Sequence, residues 1–173
     1  TVGRQAAAEG SPAPAIELGA PFADNAILQR QMPVPVWGWS KPGTEVTVAF
    51  AGQKKTARAG DDGKWMLKLD PLEASAEPRE LVVADNAGNK ATLKNILVGE
   101  VWMASGQSNM DWLAQKSSCS LIIKELAEKA KAQQGKQPPI REGKAQGVFS
   151  SLHPIEHARS EWKDGDFGNY SAI

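Results

Sequence analysis

The chain has 173 residues, 41% of them hydrophobic and 23% charged, with 20 basic side chains balanced by 20 acidic ones. That length suits one core, or one small domain and part of another. The balanced charge provides no field to gather nucleic acid or an anionic membrane, no stretch nears the roughly 18 apolar residues of a membrane span, and the lone Cys119 leaves no internal disulfide and no Cys-based zinc site.

Residues 1–15, TVGRQAAAEGSPAPA, are rich in Ala, Gly, Ser and Pro, and carry too little apolar surface to order themselves. They are expected to form a flexible segment, either the mature end left by a signal peptide or a boundary of the polypeptide. The first of these makes the protein secreted or periplasmic.

From Ile16 to Leu97 the pattern predicts short strands. In TEVTVAF, Val46, Val48 and Phe50 share one face, and Thr47 and Ala49 the other. KWMLKL sets Trp65, Leu67 and Leu69 against Lys64, Met66 and Lys68. A period of two marks half-buried antiparallel strands. VPVWGW (Val34–Trp39), ELVVA (Glu80–Ala84) and KATLKNIL (Lys90–Leu97) supply more, and Pro33 and Pro35 put their strand at an edge or where it just enters the sheet. Turn chemistry separates them at Lys41-Pro42-Gly43, Ala51-Gly52, Asp61-Asp62-Gly63 and Asn86-Ala87-Gly88-Asn89. With no helical pattern between the strands, residues 16–97 read as an antiparallel β-sandwich, jelly-roll-like in style.

Beyond Leu97 the style changes. ILVGEVWMA, residues 96–104, is a near-continuous apolar run, as expected of a strand covered on both faces. A polar turn follows, then CSLIIKELAEKAKAQQ, residues 119–134, with helical spacing at Leu121, Ile122, Lys124, Glu125 and Leu126 and a Glu125–Lys129 pair. Strand, turn and helix open an α/β layer. Gly135 to Asp166 reads as a long polar surface excursion. Too few residues follow Leu97 to complete several βαβ units of roughly 30 residues each, so residues 98–173 are expected to be the incomplete start of a second domain.

The chemistry sits in VWMASGQSNMDW, residues 101–112. A sharp turn at the carboxyl end of a covered strand presents its side chain where ligands of open α/β folds bind. Ser108 there is a candidate nucleophile, and its own amide a candidate oxyanion donor. Gly106 lets the backbone turn tightly beside a substrate. From spacing alone, a polar turn whose Ser and Asn cap the next segment explains the stretch as well.

LVGEVWMASGQSNMDW resembles the nucleophile block of the sialate O-acetylesterase family, a branch of the SGNH (GDSL-like) hydrolases in which Gly-Gln-Ser-Asn stands for Gly-Asp-Ser. FADNAILQRQMPVPVWGWSKPGTEVTVAFAGQKKTARAGDDGKWMLKLDPL is similar to the β-sandwich before that family's catalytic domain, and NYSAI at residues 169–173 to a segment that opens its next helix. The resemblance implies a mixed fold, the sandwich followed by the first portion of an α/β/α, flavodoxin-like hydrolase domain. It implies Ser108 as nucleophile, with Gly106, Gln107, the Ser108 amide and Asn109 forming the turn and oxyanion site. Trp112 is a candidate pocket wall. The family's later oxyanion donors and its Asp and His have no counterpart in this chain. His153 and His157 precede NYSAI and lack the acidic residue two or three positions earlier, so they read as surface histidines.

Two functions follow. One is a serine esterase that removes O-acetyl groups from sialic acid or a related acetylated sugar without metal or cofactor. Its His and carboxylate would then come from residues beyond Ile173, which are deleted, disordered, or held against the chain as a separate fragment left by a nick. The other is a non-catalytic carbohydrate-binding or interaction module. Trp37, Trp39 and Trp65 are candidates for a sugar-stacking platform, although alternating strand positions more often supply packing. Asp61-Asp62-Gly63 reads as a hairpin turn before a calcium site. Trp102 fits core packing as well as a pocket, and Cys119 a buried helix position.

Overall fold

A computed structural model describes residues 16–103, 121, 125, 128, 141–146 and 157–164. These are mostly strand: β1 (Ile16–Leu18), β2 (Ile27–Gln29), β3 (Val34–Ser40), β4 (Glu45–Phe50), β5 (Gln53–Arg58), β6 (Lys64–Leu69), β7 (Ser75–Asp85), β8 (Lys90–Gly99), β9 (Arg141–Gln146) and β10 (Arg159–Asp164). Among the described residues, Leu121, Glu125 and Glu128 alone are helical.

A three-stranded sheet in the order β1-β3-β6 faces a five-stranded sheet in the order β2-β8-β7-β4-β5. The alternation read from the sequence decides what lies between them. Val34, Val36, Trp65, Leu67 and Leu69 point inward from one sheet, and Val46, Val48, Phe50, Leu81, Val83, Ile96 and Val98 from the other, forming a single core. Burying each such side chain contributes about 1.5–3 kcal/mol. The outward positions of β6, Lys64, Met66 and Lys68, stay exposed. The sandwich expectation therefore holds.

Strand β3 runs between two neighbours, yet its prolines make sense. Strand β1 pairs only with Gly38–Ser40, so Val34–Val36 bond to β6 on one side. Pro35, with no amide proton to donate, sits in that one-sided half. Pro78 likewise falls in β7 within the first of two register shifts against β8, between Ser75 and Arg79.

The turn glycines Gly43, Gly52, Gly63 and Gly88 all have positive φ. At the β4–β5 hairpin Ala51 (φ 48°) and Gly52 (φ 79°) are both left-handed, as a two-residue turn matched to strand twist requires. Gly63 has a second constraint, since a Cβ there would lie 2.6 Å from the Ser40 carbonyl oxygen. Its turn differs from the hairpin expected, because β5 and β6 belong to different sheets and Asp61-Asp62-Gly63 crosses between them. Asp62 closes that turn by accepting a hydrogen bond from the Lys64 amide at 3.0 Å.

Two further features depart from the sequence reading. Strand β2 pairs with β8 in parallel, Ile27 opposite Leu97, in an otherwise antiparallel sheet. The expected surface excursion contains the antiparallel pair β9–β10. Arg141 holds that pair to the sandwich, donating to the carbonyls of Asn25 (2.9 Å) and Asn95 (2.6 Å) and to Asn95 Oδ1 (2.9 Å). Both asparagines are left-handed, with φ of 67° and 57°, and Asn95 Nδ2 donates to Asn25 Oδ1 at 2.7 Å. Asparagine tolerates that backbone better than other non-glycine residues. Trp162 adds a second tie, its indole N–H donating to the Pro21 carbonyl at 2.7 Å while its ring covers Gly143.

Candidate functional site

The expected site lies just past β8, and the structure shows how the chain leaves that strand. Ile96, Leu97 and Val98 are buried in succession, so the first part of the apolar run is covered on both faces as expected. The second part is not. The strand ends at Gly99, and Trp102 and Met103 are 89% and 92% exposed. The apolar run is thus two segments: β8 of the sandwich, then an extension that leaves it.

The exit is clamped. Arg30 Nε meets Glu100 Oε1 at 2.6 Å and Gln29 Nε2 donates to Glu100 Oε2 at 3.1 Å. The Val101 amide donates to Gln29 Oε1 at 2.8 Å, and the Arg30 amide to the Gly99 carbonyl at 2.9 Å. Hydrogen bonds from Gln29 and Arg30, helped by the Arg30 charge, hold the Glu100 carboxyl below its usual value. The residues at the end of β2 therefore hold the chain at Glu100 and Val101, where it leaves β8.

Gly106, Gln107, Ser108, Asn109 and Trp112 lie outside the described residues, as do Cys119 and His153. Of the expected helix, Leu121, Glu125 and Glu128 are described; their spacing puts them on one face, and all three are exposed.

The tryptophans separate by strand position. Trp65 points inward and is 3% exposed, so it belongs to the core. Trp37 and Trp39 lie two residues apart on the outer face of β3, where Trp37 meets Phe22 edge-on with ring centroids 4.8 Å apart. A depression of about 360 Å³ there is lined by both, with Gly38, Arg58, Gly60, Lys64, Trp65 and Met66. His157 stacks on Trp39 at 4.1 Å between centroids, and its Nδ1 lies 3.1 Å from Glu17 Oε1. The sequence reading found no acidic residue two or three positions before His157. The partner it has comes from β1, 140 residues away, where no local spacing signals it. Among the described residues no His, Cys, Asp or Glu side chains gather into a metal site, and no helix is long and apolar enough to cross a membrane.

No family model matches the chain. It is 34% identical to the sialate O-acetylesterase of Mus musculus over 102 residues, which is 53% of this chain and 19% of that protein. With the sialate O-acetylesterase of Rattus norvegicus it shares 27% identity over 161 residues, 87% of this chain and 29% of that one. A crystal structure of a carbohydrate acetylesterase from Xanthomonas citri superposes with a TM-score of 0.70 at 32% identity, covering 91% of this chain and 35% of the other. The chain thus spans less than a third of the curated relatives it matches. The resemblance read from the sandwich and the Gly-Gln-Ser-Asn turn is borne out, as is its restriction to part of those proteins.

Proposed function

We propose that this homologue of the sialate O-acetylesterases carries the nucleophile of a serine esterase that removes O-acetyl groups from a sugar. The observation that carries the reading is the superposition on a carbohydrate acetylesterase across 91% of the chain. The Gly-Gln-Ser-Asn turn at residues 106–109, just past the clamped exit of β8, supports it.

In this mechanism a base takes the Ser108 hydroxyl proton as Oγ attacks the acetyl carbonyl. The carbonyl oxygen becomes an oxyanion, and the Ser108 amide donates to it. Collapse of the tetrahedral intermediate breaks the bond to the sugar oxygen, which leaves with the proton held by the base. Water then attacks the acetyl-Ser108 ester by the same route, releasing acetate and restoring the hydroxyl. Gly106 gives room for the turn, Gln107 and Asn109 orient it, and Trp112 walls the acyl pocket. The base and its carboxylate come from the remainder of the protein, either continuous with this chain or held against it as a fragment. Sialic acid and other acetylated sugars both fit this chemistry, and the chain past β8 opens the catalytic domain.

The test is hydrolysis of a chromogenic acetyl ester by the protein containing this chain, compared with its Ser108→Ala variant. Loss of a nucleophile lowers kcat by about three orders of magnitude or more. An alanine variant that keeps the parent rate refutes the assignment.

A further inference from the structure

Strand β2 is three residues long, and its pairing with β8 ends where Gln29 lies opposite Gly99. Side chains carry the contact past that point. Gln29 Oε1 accepts the Val101 amide at 2.8 Å, as the carbonyl of a further backbone rung would. Nε2 of the same side chain donates to the Arg30 carbonyl at 3.2 Å and to Glu100 Oε2 at 3.1 Å, while the Arg30 guanidinium takes Glu100 Oε1.

The stability of the sandwich does not explain this network. Its ion pair is exposed, 36% and 50% for the two side chains, and exposed pairs add little to stability. The core is already closed there by Ile96, Leu97 and Val98. Beyond Val101 the sandwich gives the chain no cover, since Trp102 and Met103 are 89% and 92% exposed. Among the described residues, the bonds at Glu100 and Val101 are therefore the last that tie the chain to the sandwich before the Gly-Gln-Ser-Asn turn. Ser108 follows Val101 by seven residues. That length spans at most about 25 Å, so a tilt of a few degrees at the clamp moves its far end by about 1 Å. A misplacement of about 1 Å can slow a reaction about a hundredfold.

We propose that Gln29, Arg30 and Glu100 are positioning residues for the nucleophile. They set the direction and register in which the chain leaves the sandwich for the Ser108 turn, and through it the distance from Ser108 Oγ to its base. The inference rests on the esterase reading of Ser108 and adds to it a role for the sandwich in the rate of the chemical step.

The test measures kcat and KM for a chromogenic acetyl ester in the protein containing this chain, well below the melting temperature of each variant. Glu100→Ala and Arg30→Ala break the clamp, Arg30→Lys keeps a charged donor, and Ser108→Ala removes the nucleophile. Lys55→Ala is the control. It breaks an ion pair of similar exposure, 2.7 Å to Asp70, on the strand at the opposite edge of the five-stranded sheet from β2. Glu100→Ala and Arg30→Ala are expected to lower kcat by about fivefold or more with KM nearly unchanged, the mark of a group that acts in the transition state alone. Arg30→Lys is expected to keep more of the parent rate than Arg30→Ala, and Lys55→Ala to keep all of it. A kcat within fivefold of the parent in either folded clamp variant overturns the inference, as does an equal loss in Lys55→Ala or in Arg30→Lys, or a loss confined to KM. In those cases an inactive Ser108→Ala protein leaves the esterase reading standing. Activity that survives Ser108→Ala defeats that reading, and the inference with it.

Discussion

Glu100 holds the chain at the point where it leaves β8. Its two oxygens are used by Arg30 and Gln29, and the same Gln29 accepts the Val101 amide. Those bonds favour the carboxylate and lower its pKa from the ordinary 4.5. A depressed folded-state pKa means that the clamp contributes fully above the unfolded value and is lost as pH falls through the folded one. An NMR titration of the Glu100 carboxyl is expected to give a midpoint below 4.5, and Arg30→Ala to raise it. A midpoint at or above that value in the parent would show that the clamp does not form in solution. The clamp itself was not readable in advance, because Gln29, Arg30 and Glu100 are ordinary polar residues some 70 positions apart. The Asp85 turn was more accessible. Burial pushes that carboxyl up, but bonds from the Asn89 side chain and from the amides of Asn89 and Ala87 outweigh it and leave the pKa lowered. The Asp-Asn-Ala-Gly-Asn run announces such a turn locally.

At the scale of elements, strands with one apolar face were visible and polar ones were not. Strands β3, β4 and β6 announce themselves by alternation, and the core takes the faces that alternation names. Strand β5 reads Gln-Lys-Lys-Thr-Ala-Arg, an edge strand whose lysines and arginine discourage pairing with another chain, so hydropathy does not mark it. Strands β9 and β10 are polar for a different reason: they lie against the sandwich through Arg141 and Trp162 instead of an apolar face. Arg141 makes three hydrogen bonds to a pair of left-handed asparagines. Arg141→Ala is therefore expected to lower stability by about 1.5–3 kcal/mol, the range for hydrogen bonds to a charged group. Hydrogen exchange should show the β9–β10 amides losing protection ahead of the core amides of β4 and β7. A loss that is uniform across the chain, or none at all, would contradict the role given to Arg141.

Across the whole molecule, the sandwich places β2 and β8 side by side, and their ends clamp the chain where it leaves at Glu100 and Val101. The sandwich was legible because its core follows from local alternation and its turns from glycine at positive φ. The parallel β2–β8 pairing was not, since Ile27–Gln29 is too short to carry a pattern and its partner lies far along the chain. The site was legible as a motif, through its resemblance to the sialate O-acetylesterases, while the groups around it depend on contacts distant in sequence. The most direct test is to trap the acyl-enzyme. The protein containing this chain is incubated briefly with an acetyl ester, quenched in acid, digested and analysed by peptide mass spectrometry. A single acetyl group on Ser108, absent from the Ser108→Ala protein, is the predicted result. Turnover with no acetyl on Ser108, or the same acetylated peptide from the alanine variant, would contradict it.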